Sequence, residues 1–183
     1  MRIQAMAILT GLWIPASVVA QQPAPTQAIT SPVANPADVG SLDAIVKAVY
    51  AVISGPQGGQ RDWNRMRSMF IPGARLGSAV PRPDGTWGAR MGSLEDWIAG
   101  AERMFATQHF FETETARTVE EYGHIAHAFS TYESRRAPSD ATPFARGINS
   151  FQLLFDGNRW WVVTIYWQQE GPGIPIPEKY LPK

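Results

Sequence analysis

His127, Glu133, Tyr50 and Asn149 are the residues of this chain best suited to proton chemistry. An imidazole titrates near neutrality, a carboxylate can orient it, and a phenol or amide can hold developing charge by hydrogen bonding. His127 and Glu133 have the same parity in one strand-like run, so both project from one face of a strand. If Thr131 lies beside Asn149 in the next run, that face directs Ile125, His127, Phe129, Thr131 and Glu133 to the same interior as Phe151 and Trp167. The catalytic candidates are then His127 as general base and Glu133 as its orienting acid. The ligand-binding candidates are Tyr50, Arg117, Thr131, Asn149, Phe151 and Trp167. A structural reading stands beside this one: a strand histidine hydrogen-bonded within the core, and Glu133 in a cross-strand ion pair with Arg117 or Arg146.

Other chemistries find little support. His124 and His127 are three apart, which shares a helix face but opposes them on a strand, and only His109 completes the histidine set. With no cysteine, a zinc site and a disulfide framework are both excluded from the expectations. Residues 55–59 form a glycine-rich turn without the lysine of a phosphate loop, and no nucleophile elbow or dinucleotide fingerprint occurs, so no cofactor is expected. The 16 basic and 16 acidic residues balance and form no basic run, which argues against nucleic acid as a partner.

The elements that must position these residues are led by two runs rich in β-branched and aromatic residues, 146–155 and 159–167, joined by Asp156, Gly157 and Asn158. A three-residue loop sets Phe155 opposite Arg159 and collects Phe151, Leu153, Phe155, Trp161, Val163, Ile165 and Trp167 on one apolar face, with Asn149 as its polar exception. Trp160, Tyr166 and Ile148 fall on the other, mixed face, which suits association between copies. Two further strands are expected, over 110–121 and 124–136, separated by Gly123. Upstream, Ser41, Asp62 and Ser93 are placed to cap three amphipathic helices, the second stopped by Pro72 and Gly73. Residues 74–80 form an early strand, and 82–86 a turn into a short one. Helices on one side of a curled antiparallel sheet make an α+β cone.

Residues 1–20 carry a basic start, an apolar stretch broken by Gly11 and Pro15, and a small-residue end, the grammar of a signal peptide. A periplasmic or secreted location follows, with no stable membrane span once the leader is removed. Residues 21–40, rich in Pro and Ala, read as a flexible tether, 41–170 as one domain, and 171–183 as an extended Pro-rich tail.

Residues 69–76, the helix opening at 93–97, the strand 125–134, the segment 146–150 and the turn 156–161 together resemble the nuclear transport factor 2-like superfamily over about residues 41–170. Within it the chain is similar to exported bacterial members of the SnoaL-like and ketosteroid-isomerase-like groups. The resemblance implies a pocket between the concave sheet and the helices, and dimerisation through the convex face. Isomerases of that group place a tyrosine on the first helix and two acids on strands. Tyr50 matches the tyrosine, but Ser78 and Phe151 stand near the positions of the acids, so steroid isomerase chemistry is not expected. The resemblance leaves three functions open: binding of a small, largely apolar molecule, a cofactor-free lyase or isomerase using His127 and Glu133, and an interaction domain with a filled cone.

Overall fold

A computed structural model describes residues 31–183. The expected leader and the first ten residues of the expected tether lie outside the described residues. The remainder of the tether is built into the domain. Asn35 caps a one-turn helix, α1 (Pro36–Val39), with Pro at its first position, where a missing N–H costs nothing. Asp38 is buried there and takes a two-pronged bond from Arg65 at 2.8 Å for each contact. Further upstream, Ser31 donates to the carbonyl of Phe70.

The three expected helices form where their caps place them. Ser41 accepts from Ala44 N at the start of α2 (Leu42–Ile53) and Asp62 from Arg65 N at that of α3 (Trp63–Met69). Ser93 and Asp96 close a reciprocal capping box on α4 (Leu94–Thr107). The link from α2 to α3 is pinned by Arg61, whose guanidinium donates to four carbonyls, those of Ile53, Gly55, Pro56 and Gly59.

Six strands follow the order β2-β1-β6-β5-β4-β3 in one sheet: β1 (Phe70–Pro81), β2 (Trp87–Ser93), β3 (Phe111–Tyr122), β4 (Ile125–Arg135), β5 (Ala145–Phe155) and β6 (Trp160–Gln169). Every pairing is antiparallel except β1 with β6. The expected α+β class, helices on a mainly antiparallel sheet, is the observed one. Pro72 and Gly73 fall inside β1, where the pairing to β6 shifts register, because Pro lacks a ladder donor and Gly73 has φ 81°. Ile45, Val46, Met66, Met69, Phe70, Phe151, Leu153 and Val162 are the almost fully buried centre of the core between helices and sheet.

Two registers differ from expectation, and both move side chains between faces. In the β5–β6 hairpin Phe155 pairs with Trp160, so the loop has four residues, with Asp156 accepting from the backbone of Asn158 and Arg159. An extra residue at Val163 then restores the expected parity, so Ile165 and Trp167 share the concave face with Phe151 and Asn149. Before the bulge the faces are exchanged. Trp160 and Val162 pack on the core, while Trp161 leaves it, bonded to Asp156 at 2.6 Å beneath the Arg159 guanidinium. In β4 it is Ser130, not Thr131, that pairs with Asn149. The concave residues of β4 are therefore Ala126, Ala128, Ser130, Tyr132 and Ser134, all buried.

The tail after β6 is an extended segment ending in a 3₁₀ turn, Glu178–Tyr180, and it runs over the convex face. Arg146 pairs with Glu170, Glu170 accepts from Ile176 N, and Thr131 donates to the carbonyl of Tyr180. This cover is why Thr131 is buried despite facing away from the helices.

Candidate functional site

Between α2, α3, α4 and the concave face lies a cavity of about 310 Å³. Aromatic and aliphatic side chains make most of its wall, including Trp97, Phe110, Phe144, Phe151, Ile165 and Trp167. Of the expected site residues, Tyr50, Asn149, Phe151 and Trp167 meet here.

His127, Thr131 and Glu133 do not. The one-residue difference in β4 register turns all three to the convex face. His127 Nε2 lies 3.0 Å from Ser150 Oγ, with its ring edge-on to Phe129. Glu133 pairs with Arg135 at 2.5 Å. The expected acid–base pair is therefore corrected: its two members have separate partners, and neither lines the cavity. Arg117 is on the concave side, paired across the sheet with Ser130, but its guanidinium goes to Glu114 at 3.2 Å and Asp43 at 2.6 Å. Its Nη1 is buried with no partner among the described residues.

What the sequence reading missed is Glu112. A register shift in β3 after Glu114 puts Glu112 and Glu114 on the concave side together with Arg117 further along, although their numbers differ in parity. Glu112 lines the cavity and accepts from Ser134 Oγ at 2.7 Å and, weakly, from Asn149 Nδ2 at 3.4 Å. Burial pushes its carboxyl up to about 7, against the downward pull of those two bonds. Burial also raises Glu114, opposed by the Ser130 hydroxyl and the Arg117 charge. One signal in the sequence pointed here: Ser130 and Ser134 are small hydroxyls on β4, facing two acids of the neighbouring strand.

These groups form a directed chain. Ser130 gives its proton to Glu114 Oε1 at 2.6 Å, so across the 2.7 Å contact Tyr50 donates to Ser130, and Tyr50 accepts from Asn149 Nδ2 at 3.0 Å. Burial first, and the charges of Glu112 and Glu114 after it, raise the Tyr50 hydroxyl against its two hydrogen bonds, so it stays neutral. Tyr132 is likewise raised by burial and by Glu112, and its hydroxyl has no hydrogen-bond partner among the described residues. The arrangement can receive a polar group at Glu112 and Tyr132 and hold an apolar body against the aromatic wall.

Among the described residues no group of three His, Cys, Asp or Glu side chains is placed to hold a metal ion, and no helix is long and apolar enough to cross a membrane. No protein-family model and no curated protein matches the chain. Solved structures do. An NTF-2-like protein of unknown function from Silicibacter pomeroyi is 18% identical, over 72% of this chain and 94% of that one, with a TM-score of 0.49. A putative ketosteroid isomerase from Parabacteroides distasonis is 11% identical, over 77% and 97%, at 0.48. A CaMKII hub from S. rosetta is 15% identical, over 70% and 90%, at 0.43.

Proposed function

We propose that the chain is a binding domain of the nuclear transport factor 2-like kind: the cone takes up a small, largely apolar molecule whose polar end meets Glu112, Tyr132 and Asn149. The observation that carries this reading is a cavity of about 310 Å³ with an aromatic wall and a polar floor of converging groups. Such volume and lining are those of small-molecule sites. A hollow cone also weighs against the interaction domain with a filled cone. Native mass spectrometry of protein purified from its own host tests the proposal. A reproducible bound metabolite, lost when Phe151→Trp fills the cavity, supports it, and consistently empty protein of both kinds opposes it.

A second reading, a cofactor-free lyase or isomerase, is favoured by one feature: a carboxyl at about 7 can both take and give a proton near neutrality. In this reading Glu112, not His127 or Glu133, is the acid–base group. It is distinguished from plain binding by turnover of the bound molecule that disappears in Glu112→Gln.

Export to the periplasm or the medium belongs to the same proposal, supported by the leader-like residues 1–20, and is tested by the N-terminal sequence of the mature chain. So does a homodimer through the convex face, supported by the exposed Tyr122, Ile125 and Tyr166. Sedimentation of the full chain tests it.

A further inference from the structure

The cavity is electrically one-sided. Among its described lining residues Glu112 is the only carboxylate, and none is lysine, arginine or histidine. Three arginines on the strands and loop that build this wall are engaged elsewhere. Arg136 lies over Phe144 at 3.9 Å and donates to Gln108 and His109, Arg117 pairs with Glu114 and Asp43, and Arg146 pairs with Glu170. The polar groups that face Glu112 from the packed elements are Tyr50 on α2, Glu114 on β3 itself, Tyr132 and Ser134 on β4, and Asn149 on β5; none carries positive charge.

A carboxylate accepts about four hydrogen bonds, and Glu112 receives two, one of them long. Its open lone pairs face a space walled by Trp97, Phe110, Phe144 and Trp167, whose ring faces attract cations and do not attract anions. An acid already desolvated, without a countercharge and surrounded by aromatic rings, discriminates by charge more than by shape.

We infer that the cone takes an amine in its protonated form, carried on an apolar body, with the ammonium group on Glu112 and the hydrocarbon against Phe151 and Trp167. This rests on the binding function proposed above and names its ligand class. An alcohol of the same shape keeps the apolar contacts but loses the charge pairing. A carboxylate of that shape adds repulsion.

The test uses the full chain and three probes that differ only at one end, 4-phenylbutylamine, 4-phenylbutanol and 4-phenylbutanoate, titrated by calorimetry near pH 8. The amine is expected to bind at least about tenfold more tightly than the alcohol, and the carboxylate most weakly. Glu112→Gln should remove the amine's advantage over the alcohol. A readout on the unsubstituted protein covers the case in which the variant does not fold. Near pH 7 a Glu112 that is about half protonated must ionise to pair with the ammonium, so amine binding should release about half a proton, visible across buffers of different ionisation enthalpy. Alcohol binding as tight as amine binding, or amine binding without proton release, overturns the amine assignment and leaves the pocket standing. Failure of all three probes overturns the pocket reading with it.

Discussion

The two faces of strand β4 carry opposite kinds of polar group, and the contrast shows what makes a polar side chain available for binding. On the convex face His127 is matched by Ser150, Glu133 by Arg135 and Thr131 by the tail carbonyl of Tyr180. Each has a neutral or compensating partner. On the concave face Ser130 is taken by Glu114 and Tyr50, while Glu112 meets the Ser134 hydroxyl and the Asn149 amide but no cation among the described lining residues. The convex residues look more catalytic by type, yet their requirements are met. The concave acid is left to find its countercharge in a ligand.

The comparison is broken most severely by removing the ring that the concave face depends on. Phe151 is 1% exposed, and Phe151→Ala should cost about 3–5 kcal/mol in denaturant unfolding, whereas Phe129→Ala, half-buried under the tail, should cost about 1–2. Equal losses would mean that the convex face is as much core as the concave one.

Next in size is the pH dependence of Glu112. Its carboxyl is raised in the folded protein, so the fold binds more protons than the unfolded chain between the ordinary glutamate value and about 7. Its contribution is therefore present at low pH, is lost as pH rises through that window, and is constant above it. Glu112→Gln should stabilise the protein by roughly 1–3 kcal/mol at pH about 8 and lose that gain toward pH about 4.5. Asp38, Glu95 and Glu170, held low by Arg65, Arg67 and Arg146, act in the opposite sense and only in more acid solution. A difference between the two proteins that does not change with pH would show that Glu112 is not shifted.

Tyr50→Phe sharpens the same contrast at lower cost. It removes the link between Ser130 and Asn149 while keeping the ring against Phe151, and should destabilise by about 1–2 kcal/mol. The smallest effect belongs to the convex pair. His127→Asn and Ser150→Ala should each shift stability by about 0.5 kcal/mol or less and leave probe binding in the cavity unchanged. Impaired binding in either variant would return His127 to the site.

Much of the fold was legible because its signals are local. Ser41, Asp62 and Ser93 cap helices through bonds made within three residues, and Gly123 and Gly157 turn the chain where L side chains resist positive φ. The site was less legible because it depends on parity across strands. Asn149, Phe151 and Trp167 line the cavity since the β5–β6 parity holds beyond Val163, and Tyr50 lines it from α2. His127 and Glu133 were misplaced by one residue of β4 register, and Glu112 was hidden by the irregularity after Glu114. The β4 offset leaves no mark in the local sequence, because Ser130 and Thr131 are equally plausible neighbours for Asn149. Apolar pattern could not decide, for the tail buries convex residues that would otherwise face water.

The extra residue at Val163 also bears on how related chains should be aligned. Strand β6 is written in two phases, with core positions even before the bulge and odd after it. A substitution pattern tallied along the whole strand would average the phases and conclude that neither face is buried. Split at Val163, the same pattern separates residues that close the core beside the loop from residues that shape the cavity. An insertion or deletion in a relative can then be located by which phase it restores.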